Sequence, residues 1–176
     1  GFDLYVKLLE QTILELKGEP PREGPAVQLN LRVDLRVPEN YVPEVQQRLQ
    51  LYKRVSRLRD ESEIAELLDE IRDRYGEPPP EIGTLLACAR LRLQAAELGL
   101  RQVDRTGAAL LLHLGPDTPV PPAALAGWVT RQAGATLSPD GVLRLPLPAG
   151  EPPLARLAGI LGALRLLSVG GPAARL

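Results

Sequence analysis

Few residues in this 176-residue chain have the type and spacing to do chemistry. Glu63, Glu66, Glu70 and Asp73 recur at three- and four-residue intervals, which at 100° per residue sets four carboxylates along one face of a helix. Such a row can hold the cationic side chains of a partner through charge-assisted hydrogen bonds. General acid–base work would instead require burial to raise a pKa, and a run this rich in acids reads as solvated. Just upstream, Arg48, Lys53, Arg54, Arg57 and Arg59 form a basic run able to contact phosphates. Only Tyr52 offers a ring for stacking there, and the acidic neighbour would repel a nucleic-acid backbone tracking across both. Salt bridging to nearby acids is the simpler role for these cations.

The remaining candidates favour structure over reactivity. His113, the only histidine, falls in the apolar run 110–114 and reads as a satisfied or edge-exposed strand residue, not a general base. Cys88, the only cysteine, rules out a disulfide framework and a cysteine-based zinc site, and reads as a small core residue. Ser56 and Ser62 lack the context of a nucleophile elbow. No Gly-x-x-x-x-Gly-Lys-Ser/Thr occurs, so this chain by itself is not expected to hydrolyse ATP, and the glycines at 159, 162, 170 and 171 lack the strand–turn–helix setting of a dinucleotide site. No catalytic, cofactor-binding or metal-ligating residue is assigned.

The elements that carry these residues follow from periodicity. A formal charge of −1 with 44% hydrophobic residues excludes a disordered tail and a strongly charged nucleic-acid clamp. Charge is uneven, at −5 over residues 1–81 and +4 over 82–176. No apolar stretch approaches the roughly 18 residues of a membrane span, and no signal peptide is evident, so a cytoplasmic protein is expected. The chain opens on Gly1 in mid-pattern, as a piece of a longer polypeptide would. An amphipathic helix is expected over 1–17, a Pro/Gly linker over 18–26, and a half-buried strand over 27–37, where Val27, Leu29, Leu31, Val33, Leu35 and Val37 alternate with polar residues. Helices follow at about 43–59, from Asp60 or Ser62 to Tyr75 with an αL cap at Gly76, and at 80–98. The last of these presents Ile82, Leu85, Leu86, Ala89, Leu93 and Ala96. Short hairpins are expected at 100–114 and 135–147, and helices at 121–133 and 152–167. The fold class is α+β, with helices on a small, largely antiparallel or mixed sheet.

Five ordered motifs resemble a known family. They are Gly1-Phe2-Asp3-Leu4-Tyr5; Tyr41-Val42-Pro43; Arg48-Leu49-x-x-Tyr52-Lys53-Arg54; Glu70-Ile71-x-Asp73-Arg74-Tyr75-Gly76 with the prolines at 78–80; and Leu85-Leu86-x-x-Ala89-Arg90-Leu91 closing at Leu98-Gly99. Together they look like the C-terminal part of the bacterial transcription-repair coupling factor, over residues 1 to about 99. Two departures stand out: Arg72 replaces a more usual apolar residue, and Tyr75 a common Phe. The resemblance implies that 1–17 trails an ATP-driven DNA translocase motor and that 27–176 is a non-catalytic regulatory domain. This domain would dock on the UvrB-like module of the same polypeptide and mask UvrA binding until RNA polymerase is engaged. Glu70 and Asp73, with Glu66 and Glu63 in support, are the expected contacts. The alternative is a nucleic-acid accessory module acting through Arg48, Lys53, Arg54, Arg57 and Arg59.

Overall fold

The computed structural model describes residues 27–170. The expected helix over 1–17, the linker 18–26 and the tail from residue 171 lie outside them. In chain order the elements are β1 (Gln28–Asn30), α1 (Val45–Ser56), α2 (Glu61–Tyr75), α3 (Pro80–Glu97), β2 (Leu100–Thr106), β3 (Ala109–Leu114), α4 (Pro122–Arg131), β4 (Thr136–Leu137), β5 (Val142–Pro146) and α5 (Pro153–Val169). Among the described residues there are thus five helices and one five-stranded sheet of order β1-β2-β3-β5-β4. β1 runs parallel to β2 and every other neighbouring pair is antiparallel, so the sheet is mixed and the class is α+β. The described residues divide into two compact units, one holding Val33–Leu93 and the other residues 27–32 together with the chain from Gln94 onward.

The first unit is built on α1, α2 and most of α3. α1 is shorter than the 43–59 expected. Its start is displaced because the carbonyls of Val42 and Pro43 accept from the Arg48 guanidinium, at 2.9 and 2.8 Å, instead of from backbone N–H groups one turn on. Its end tightens into i→i−3 bonds, from Arg57 N–H to Arg54 and from Leu58 N–H to Val55, which close a helix within a turn. α2 begins at Asp60, whose carboxylate accepts from the Glu63 N–H at 2.9 Å, an N-cap that satisfies one of the helix's orphan donors. It ends at Gly76, but with φ 89° and ψ −169° that residue occupies the extended left-hand region open to glycine, not the αL cap expected. Ile64, Leu67 and Ile71 are buried, as are Leu51, Val55, Ile82, Leu85, Leu86 and Ala89 of this unit. Burying a side chain of this size contributes about 1.5–3 kcal/mol. Leu93 and Ala96 are only half-buried, whereas Cys88, Leu91 and Ala95 are fully so, which makes the apolar side of α3 broader than the single stripe expected.

The 27–37 segment departs from expectation instructively. Its alternation holds as burial, since Val27, Leu29, Leu31, Leu35 and Val37 are all buried, yet only Gln28–Asn30 joins the sheet. Arg32 sits at φ 55°, which breaks the extended backbone where the chain passes from one unit to the other. Beyond it the Val37 N–H donates to the Tyr52 hydroxyl at 2.6 Å, so a side chain on α1 replaces a strand partner.

In the second unit the register aligns Leu29, Val103, Leu112, Leu143 and Leu137 in one row across all five strands. Val103, Leu112 and Leu143 are wholly buried, as are Leu157 and Leu164 of α5, and Leu125 and Val129 of α4 join them in the core. Gly99 (φ 71°) permits the turn into β2, because a Cβ there would lie 2.6 Å from the Thr118 Cα. The other face of the sheet carries polar residues: Gln28, Gln102 and His113 in one row, and Asn30, Asp104 and Arg144, with Leu111 between the last two, in the next.

Candidate functional site

The four carboxylates expected as contacts lie on α2 and have different environments. Glu63 is half-buried and turns back to accept from the Arg59 N–H at 2.7 Å, so together with Asp60 it caps the helix. Glu70 forms a two-pronged pair with Arg54 of α1, at 2.5 and 2.7 Å, both side chains about half exposed (50% and 49%). The hydrogen bond from Arg54 is the main reason its carboxyl lies below the usual range, and Arg74 adds a weaker pull. Glu66 and Asp73 are exposed, and among the described residues neither enters an ion pair. The outward acidic surface is therefore Glu66 and Asp73, with Glu70 between them held from the α1 side.

A shallow groove of about 370 Å³ runs between α1 and α2 beside Glu70, with Gln47, Gln50, Arg54, Arg74 and Tyr75 among its lining residues. The Tyr75 hydroxyl donates to Gln47 at 3.2 Å, and the Tyr75 ring stands 5.8 Å from that of Tyr41, whose own hydroxyl donates to the Gly76 carbonyl at 2.7 Å. These contacts fix the C-terminal end of α2. The Arg90 guanidinium does the same at its start by gripping Glu61 from α3, at 2.7 and 2.9 Å. Arg72 is exposed and pairs with Asp69 (3.6 Å) and Glu77 (3.2 Å).

The basic run does not assemble into one surface. Arg48 is largely buried, with its side chain 14% exposed, and serves the Val42 and Pro43 carbonyls and Glu39. Arg54 is committed to Glu70, Lys53 is half-buried on α1, and Arg57 and Arg59 lie past the end of that helix. Among the described residues, Arg48 and Arg54 are salt-bridged within the chain.

The second unit holds a polar cluster that the periodicity did not single out. The Asp104 carboxylate accepts from Asn30 Nδ2 at 2.8 Å and from Gln102 Nε2 at 2.9 and 2.8 Å, and lies 3.1 Å from His113 Nε2. Burial works to raise its pKa, but the hydrogen bonds from Asn30, Gln102 and His113 outweigh it and hold the carboxyl below its ordinary 3.8. His113 is thus a satisfied strand residue, and Cys88 is buried in the core. Among the described residues no group of three or more His, Cys, Asp or Glu could hold a metal ion, and no helix is long and apolar enough to cross a membrane.

Residues 31–125 match the TRCF domain family. The match extends past residue 99, where the recognisable motifs stop. The chain is 35% identical over 151 residues, 85% of its length, to the transcription-repair-coupling factor of Myxococcus xanthus, and 35% identical over 137 residues to that of Escherichia coli. The Staphylococcus aureus factor is 30% identical over 116 residues. The chain spans 13%, 12% and 10% of the lengths of these three relatives. A solved structure titled as the C-terminal domain of transcription-repair coupling factor shares the fold, with a TM-score of 0.65 at 16% identity over 80% of this chain and 94% of that one. On the family match and the extent of these identities, the chain belongs to the TRCF domain family, the C-terminal domain of transcription-repair-coupling factors.

Proposed function

We propose that this chain is the non-catalytic regulatory domain of a cytoplasmic transcription-coupled DNA repair translocase, and that it docks through the α2 face onto the UvrB-like module of the same polypeptide, masking UvrA binding. The parent would be ATP-driven and would engage DNA and stalled RNA polymerase. The observation that carries the reading is the outward pair Glu66 and Asp73, exposed on either side of Glu70 within the segment matched to the family. Carboxylates in that position suit an arginine-bearing surface and give orientation and salt-sensitive affinity. Modest affinity is enough, because a tethered domain meets its target at an effective concentration in the millimolar range, and a contact of roughly millimolar dissociation constant keeps the mask closed about half the time.

The test is reversal of charge. Glu66→Arg combined with Asp73→Arg in the full-length parent should strengthen UvrA binding, with the melting transition retained as the check on folding. Unaltered UvrA affinity in a folded variant would refute the masking role.

A further inference from the structure

Glu70 is positioned to serve docking and is already engaged. Its two oxygens take both terminal nitrogens of Arg54, a fork-to-fork geometry in which a second guanidinium cannot share the same lone pairs at full strength. The pair bridges two helices at the rim of the α1–α2 groove, and both partners stay half exposed, so water and other charged groups can reach it. Among the described residues the Arg54 guanidinium has Glu70 as its hydrogen-bonding partner. We propose that Arg54 is an internal counter-ion that limits docking: the lone pairs it holds leave Glu70 only the outer ones for a partner, and a partner's guanidinium gains the full fork only by displacing Arg54, so the identity of residue 54 sets how tightly the acidic face binds.

This deepens the docking reading and rests on it. In the exchange one charge-assisted pair is lost for each one gained, and Glu70 contributes only the difference between them. Glu66 and Asp73, free of that exchange, supply the rest. Removing Arg54 frees Glu70 outright and also removes a cation that would repel an arginine-bearing partner. Exposed pairs of this class bias an equilibrium by about 1.5- to 5-fold, which bounds the effect.

The experiment uses the full-length parent and reads its affinity for UvrA. Arg54→Gln should close the mask further and weaken UvrA binding about two- to fivefold. Arg54→Lys, which keeps the charge but loses the fork, should do so by less. Glu66→Arg with Asp73→Arg, measured alongside, should move affinity the opposite way. If that double variant strengthens UvrA binding while Arg54→Gln leaves it unchanged or stronger, the counter-ion role is overturned and docking stands. If the double variant changes nothing, docking and the counter-ion role fall together. Should Arg54→Gln lower the melting temperature by more than a few degrees, the Arg54→Lys comparison decides, and no weakening by it overturns the role.

Discussion

Asp104 shows most clearly how single side chains set local energetics here. Three donors from three strands converge on one carboxylate, and its pKa falls below 3.8 despite partial burial. A carboxylate whose folded pKa is lowered adds stability that is fully present above its unfolded value and is lost as pH falls through the folded one. Asp104→Asn should therefore cost about 1.5–3 kcal/mol near neutral pH, the scale of hydrogen bonds to a charged group. In thermal melts the gap between wild type and variant should narrow as pH drops below about 3.8. A gap that stays constant to pH 2 would contradict the network. This cluster was not legible in advance. A turn at Thr106-Gly107 would pair Arg105 with Ala108, whereas the turn falls at Gly107-Ala108 and pairs Thr106 with Ala109, and it is this register that sets Asp104 and His113 diagonally on one face. Asn30 could not be read either, because its parallel pairing with Asp104 is non-local. Glu70 and Arg54 raise the same difficulty: their residue types suggested salt bridging, but which carboxylate meets which cation depends on how two helices cross.

At the scale of elements, local chemistry specified the helices and hairpins well and the long strand poorly. Asp60 caps α2 as its residue type suggested, and Asp60→Ala should cost about 1 kcal/mol in denaturant unfolding. Gly99→Ala should cost more, about 2 kcal/mol or above, since it combines an unfavourable φ with a backbone clash at Thr118. An unchanged midpoint for that variant would mean the turn into β2 can relax. The 27–37 alternation is real as burial but misleading as a ladder. A period of two reports which side faces a core, whereas a strand also needs a hydrogen-bonding neighbour, and beyond Arg32 the neighbour is the Tyr52 hydroxyl. Helix boundaries shifted for a similar reason. Arg48 captures two carbonyls from the side, an event that periodicity along one helix does not encode.

For the whole molecule, the near-neutral charge conceals a division between an acidic N-terminal half and a basic C-terminal half. The surface proposed for docking lies in the acidic half, in the first unit, and the acids that matter are those its own cations leave exposed. α+β class and family membership were both legible from periodicity and ordered motifs, while the distribution of Glu63, Glu66, Glu70 and Asp73 among capping, pairing and exposed roles required the packed structure. The most direct measurement is titration of this chain with the UvrB-like module of its parent up to millimolar concentration, at low and high salt. An electrostatic face screened over about 10 Å at 0.1 M salt and about 3 Å at 1 M should bind at the first and lose binding near the second, and Glu66→Arg with Asp73→Arg should abolish binding at low salt. No binding at low salt, or binding indifferent to salt and to charge reversal, would contradict the account.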